Sequence, residues 1–345
     1  MPTTPLPGTR VVVPHVPVKR MTRFRRALAT VFVLALLGAG GAAGLVWWVD
    51  GSIGPVVLRE MCSATVAGNT ARLTPEQATN AATIAAVAEQ RGLPARAVTI
   101  ALAAALQESE LYNLNYGDRD SLGLFQQRPS QGWGTAEQIM DPVYASNQFY
   151  DALLRIDGYR DLEIAVAAQQ VQRSAYPDAY SEHETAARVL ASALAGHSTA
   201  VLSCSLRPPT VEGQALGPDG LTPRAESVRA ELGASFDGLE IGGYDAGGVS
   251  SGHIDGSAHY DGRALDIFFR DYDDPEVTRS GWVVAHWLAA NADRLALATV
   301  IYDGQIWTAR RSGEGWRPYT HPSGDTSDPS LQHLDHIHVD VARGD

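Results

Sequence analysis

The chain has 345 residues, enough for two domains, with 27 basic against 39 acidic side chains and a formal charge of −12. The first 49 residues carry six basic residues and no acid, so the remainder holds a formal −18. A body this acidic excludes nucleic acid and other polyanions as default partners.

In chain order, a basic tail (1–26) precedes residues 27–49, a run of 23 residues without a charge. That length spans a hydrocarbon core at helical rise and predicts a transmembrane helix. The flanking charges place the N-terminus in the cytoplasm and the rest outside, a single-pass cell-membrane arrangement. The competing reading is a cleaved signal peptide with Gly41-Ala42-Ala43-Gly44 as its small-residue site. Gly40-x-x-x-Gly44 offers a homodimer contact through the helix. Residues 50–73 read as a linker. Cys62 and Cys204 are the only cysteines and, in an external compartment, are expected to bond to each other.

Thr74-Pro75-Glu76-Gln77 is a helix start with Thr as N-cap and Pro at N1, and Gly92 stops that helix. A second, Ala-rich helix runs from Pro94 to about Ser109. Asp141-Pro142 caps a third, and Ser181-x-x-Glu184 reads as a capping box for another ending near Gly196. Residues 74–200 are thus expected to form a mainly α domain. A Pro/Gly-rich linker (201–223) leads to an α+β domain (224–345). Its expected strands are Leu239–Ile241, Ala264–Phe269, Ala298–Tyr302, Ile306–Arg310 and His336–Val341, with one long helix over about Thr278–Asn291.

Seven of the ten histidines follow residue 250. His259 and Asp266, seven apart, together with a late His336-Ile-His338, have the donor types that enclose a divalent metal such as Zn²⁺. On an extended strand His336, His338 and Asp340 share one face, and Ile337 and Val339 enter a core. Gly262 and Ala264 are small enough to let the Asp266 strand approach a metal. Arg263, between the ligands, is a candidate for holding a substrate carboxylate. His253, His321 and His333 read as solvated loop residues.

Ser257-x-His259-x-x-Gly262-x-Ala264-x-Asp266 resembles the zinc D-Ala-D-Ala carboxypeptidase family at every fixed position, within a superfamily that includes the lysostaphin-type endopeptidases. The resemblance implies His338 as third ligand and leaves two candidates for the base that activates water. His336 shares a face with His338; Asp335 fits an acidic-x-x-His pattern.

Gln107-Glu108-Ser109 and Ser121-Leu-Gly123-Leu-Phe-Gln126 resemble the lysozyme-like superfamily, particularly lytic transglycosylases and muramidases. That resemblance implies Glu108 as general acid, with Ser121 and Gln126 lining a sugar groove. A helix C-terminus and an apolar wall would both raise the carboxyl's pKa. Asp118 or Asp120 would serve as a second carboxylate in a hydrolytic route. Val171-Gln172-Arg173-Ser174-Ala-Tyr176 replaces the family's Tyr-Asn-x-Gly stretch and offers Tyr176 as a groove aromatic, beside Trp133 and Tyr144. Together these features lead to the expectation of a membrane-anchored, bifunctional peptidoglycan hydrolase. The alternatives are a non-catalytic wall-binding scaffold and a metal-handling envelope protein.

Overall fold

The computed structural model describes residues 60–176 and 178–344. The basic tail, the 27–49 helix and its dimer motif lie outside the described residues. These described residues form one compact unit.

A hairpin of β1 (Met61–Val66) and β2 (Asn69–Leu73) opens that unit. Helices α1 (Pro75–Gln90), α2 (Ala95–Ser109), α3 (Pro142–Leu154), α4 (Ile164–Gln172) and α5 (Glu184–Leu194) follow. Strand β3 (Leu202–Ser205) then returns to β1, giving the sheet order β2-β1-β3. Beyond it come α6 (Pro223–Ser235), β4 (Glu240–Gly242), β5 (Ala264–Phe268), α7 (Pro275–Ala290), β6 (Leu297–Tyr302), β7 (Gln305–Thr308), β8 (Arg317–Pro318) and β9 (His336–Val341). The second sheet has the order β4-β5-β9-β6-β7-β8, and every pairing in it is antiparallel.

Several starts are those dictated by the chain. The Thr74 hydroxyl accepts from the Gln77 amide while the Gln77 side chain accepts from the Thr74 amide, a complete capping box. Asp141 caps α3 through the Val143 amide. The Ser181 box does not form: residues 179–183 are a 3₁₀ turn, and the Ser181 hydroxyl donates back to the Asp178 carbonyl at 2.6 Å. Helix α5 begins without a side-chain cap.

The expected fold class is corrected in three respects. The mainly α domain is mixed, because residues 61–73 and 202–205, read as linkers, form a sheet. Cys62 and Cys204 face each other across β1 and β3 and are bonded, closing a separation of 142 residues. In the chain-entropy account that link contributes about 5 kcal/mol. The two expected domains also share one hydrophobic core, where α7 packs on α1 and α5. Arg279 of α7 pairs with Glu89 of α1 at 3.2 Å, and the His286 ring donates to the Ala193 carbonyl at 2.8 Å. Finally, among the described residues no helix is long and apolar enough to cross a membrane. The membrane-anchored, single-pass arrangement therefore has no supporting element in the structure and is set aside.

Candidate metal centre and glycan cleft

Strand β9 alternates as its sequence requires: Ile337, Val339 and Val341 are buried in the core, and His336, His338 and Asp340 stand on the opposite face. Its register with β5 puts Asp266 directly across from His338 and Phe268 across from His336. His259 reaches the same point from the turn before β5 and is 2% exposed. His259 Nε2, Asp266 Oδ1 and His338 Nδ1 converge with separations of 3.1, 3.3 and 3.4 Å. A tetrahedral ion with bonds of this ligand type has an edge of about 3.3 Å.

Each imidazole is held by its other nitrogen. His259 Nδ1–H donates to the Gly243 carbonyl at 2.7 Å, which leaves the Nε2 lone pair facing inward. His338 Nε2–H donates to Asp340 at 3.3 Å, so Nδ1 faces the centre. Asp340 therefore lies behind His338 and orients it rather than completing the inner set. Gly243 has φ +79°, and a Cβ there would lie 2.6 Å from His259 Cε1 and 2.9 Å from Asp266 Oδ2. Only glycine leaves room for the centre at that position.

Asp266 is largely buried. Burial works against its charge, but its polar and charge interactions with His259 and His338 outweigh this and hold it below the ordinary carboxylate range. For His338, burial favours the neutral ring, yet bonding to Asp266 and Asp340 raises its pKa to about 9. The pocket is thus a pre-assembled cation-binding site, in which the proton on His338 can be exchanged for a metal.

The two candidate bases are one unit. His336 Nδ1–H donates to Asp335 Oδ1 at 2.7 Å, and Ser330 donates to Asp335 Oδ2 at 2.6 Å. His336 Nε2 points toward the centre, 3.9 Å from Asp266 Oδ1. Arg263 is not free for a substrate carboxylate. It contacts Asp261 at 3.1 Å, donates to the Val341 carbonyl at 2.8 Å and lies 4.0 Å from Asp340. Gly262 has φ +62° and lies against the Gly220 backbone, so its smallness serves that contact rather than the approach of β5 to an ion.

Two histidines read as solvated belong to the centre's surroundings. His333 is half-buried, its ring centroid 4.7 Å from that of His336. Burial, then the neighbouring His336 and His338, lower its pKa to about 3. His253 stacks on His259 with ring centroids 3.9 Å apart. His253, His259 and Asp266 offer ligand atoms all within 4.8 Å of one another. Neither His253 nor Gly243 sits in a periodic segment; the concentration of histidines after residue 250 was the one signal available.

Glu108 is the penultimate residue of α2 and lines a cleft of about 1030 Å³. Burial raises its pKa, partly offset by hydrogen bonds from Tyr180 and Gln172. The Tyr180 hydroxyl donates to Glu108 Oε1 at 2.6 Å. The Ser121–Gln127 segment is a tight loop closed by a Leu122–Gln127 bridge rather than a strand. The Ser109 hydroxyl ties it to α2 through the Leu124 carbonyl at 2.8 Å.

Ser121, Gln126, Trp133 and Tyr176 all line the cleft, and Tyr176 is 76% exposed; Tyr144 does not line it. Asp120 is tied to Arg128 at 2.7 Å and to the Ser130 amide at 2.8 Å, which makes it a loop clamp rather than a second carboxylate. The Asp118 side chain is 92% exposed on the cleft wall. Arg119, Arg128, Arg155 and Arg173 also line it, a basic concentration in an otherwise acidic body.

Residues 217–330 match a family model described as VldE, C-terminal domain. The match takes in His253, His259 and Asp266, ends before His336 and His338, and covers about a third of the chain. No curated protein matches the chain.

Proposed function

We propose that this protein remodels peptidoglycan with two sites, a zinc centre that hydrolyses a peptide-stem amide and a cleft in which Glu108 cleaves the glycan. The observation that carries the proposal is the convergence of His259 Nε2, Asp266 Oδ1 and His338 Nδ1 at the edge lengths of a tetrahedron. Two imidazoles and one carboxylate favour zinc over hard cations, which prefer all-oxygen sites. When bound, the ion supplies Lewis acidity toward the scissile carbonyl and lowers the pKa of a water to about 7.

The remaining work falls to the chain. His336 Nε2 accepts the proton of the attacking water, and Asp335, fixed by Ser330, stabilises the imidazolium and holds the ring in the productive tautomer. The same proton is then returned to the leaving amine. In the cleft, burial shifts Glu108 toward the protonated form that donation to the glycosidic oxygen requires. With Asp120 clamped elsewhere, the substrate-assisted transglycosylase route is favoured over a two-carboxylate hydrolysis. With Arg128 committed to Asp120, the other three cleft arginines, Arg119, Arg155 and Arg173, suit a glycan that bears carboxylates.

Muropeptides released from purified wall by the zinc-loaded protein, analysed by mass with and without chelator, test both halves. Peptide products should vanish with chelator while glycan products persist. No products under either condition would overturn the enzymatic reading in favour of a wall-binding scaffold.

A further inference from the structure

We infer that His253 is a fourth, displaceable ligand of the metal centre, delivered by the glycine-rich loop 243–256, so that the resting centre is closed by protein. This rests on the metal-centre reading above. The inner three donors already define a tetrahedral face, and the open apex is where a catalytic site keeps water. His253 has a ligand atom within 4.8 Å of those of His259 and Asp266, at most about 1.5 Å beyond a tetrahedral edge. A small loop displacement brings it into the apex.

The loop is built for such a displacement. Gly247, Gly252 and Gly256 have φ of +90°, +92° and +78°, and a Cβ on any of them would meet nothing within 4 Å. Their role is backbone conformation, not packing. Ile254, beside His253, is 49% exposed instead of being anchored in the core. What fixes His253 is a clamp: its amide donates to the Tyr260 hydroxyl at 3.0 Å, and that hydroxyl donates back to its carbonyl at 2.5 Å. Tyr260 directly follows His259, so the clamp ties the fourth donor to the residue after the first. The attacking water and His253 would compete for one apex, making opening of this loop a requirement for peptide cleavage.

The test uses the full chain loaded with Co²⁺, whose absorption reports ligand number, titrated with azide as the incoming ligand. Wild type should resist azide, and water-proton relaxation should show no inner-sphere water. His253→Ala should gain an inner-sphere water and bind azide at about tenfold lower concentration. Tyr260→Phe keeps the imidazole but loosens the clamp, and should move azide binding the same way by a smaller factor. It also carries the test if His253→Ala fails to fold. Equal azide titrations and equal water relaxation in the folded proteins, each holding one Co²⁺, would overturn the fourth ligand while leaving the three-ligand centre standing. Failure of the wild type to bind Co²⁺ in metal analysis would overturn the centre itself, and His253's part with it.

Discussion

At the candidate metal centre Asp266, His336 and His338 stand on two paired strands whose register sets their spacing, whereas around Glu108 the lining side chains come from several helices and loops. The contrast shows in what holds each reactive group. Each imidazole that faces the candidate metal centre has a hydrogen bond on its far side, His259 to Gly243, His338 to Asp340 and His336 to Asp335. Glu108 is held chiefly by one hydroxyl, from Tyr180. A sheet therefore supplies a rigid constellation able to fix an ion, and a helix end supplies one desolvated acid with space before it.

The largest expected effects test whether these are two separable sites. His259→Ala removes one of three inner donors, so bound zinc should fall from about one per chain to near zero, with peptide cleavage lost by at least about a hundredfold and glycan cleavage kept. Metal analysis with muropeptide mass analysis reads both. Glu108→Gln should do the converse, lowering glycan release by about 10²–10⁴-fold while zinc content stays unchanged. Parallel loss of both activities in either variant would break the two-site description.

A smaller effect lies at the seam between the two regions. His286 on α7 is fully buried against Trp282 and Trp316, and donates to the Ala193 carbonyl just before the end of α5. Burial lowers its pKa from 6.5 to about 4, with the Ala193 bond working weakly the other way. The unfolded chain then binds more protons than the folded one between these values. Stability contributed by the neutral ring is complete above about pH 6.5 and is lost as pH falls toward 4, by roughly 3 kcal/mol. Denaturant unfolding of wild type and His286→Asn across this window should show a steeper acid loss in wild type. Equal slopes would remove His286 as the seam's acid-sensitive point.

Much of the sheet region was legible in the chain because its signal is local. The alternation His336-Ile-His338-Val-Asp340 fixes which side chains share a face, and the strand appears with its expected bounds. The loop contributors left no such mark: His253 and Gly243 are placed by three-dimensional closure alone. The first sheet was missed for a related reason. Met61–Val66 and Leu202–Ser205 are short and far apart in sequence, and their pairing was signalled only by the two cysteines, read as a tie between linkers. Helix α6 was missed although Thr222-Pro223 carries the same start as Thr74-Pro75, with the Thr222 hydroxyl accepting from the Ala225 amide. Pro223 reads as the last proline of the Pro/Gly-rich linker, and the helix's weak apolar stripe gives no contrary signal.

The finest distinction between the regions is how each reactive group is tuned. Glu108's pKa is raised by burial and drawn partly back by the hydrogen bonds of Tyr180 and Gln172 to its charged form. Tyr180→Phe deletes one of these while leaving the desolvating wall in place, so the carboxyl's pKa should rise further. The acid then stays protonated to higher pH, and the alkaline limb of the glycan-cleavage profile should move upward. His336, His259, Asp266 and His338 make no hydrogen bond with Tyr180, so the pH profile of peptide cleavage should stay where it is. A glycan limb that moves down would mean that Tyr180 supports the neutral acid instead. Movement of both limbs together would mean that the helix-end site and the sheet site are coupled through the shared core.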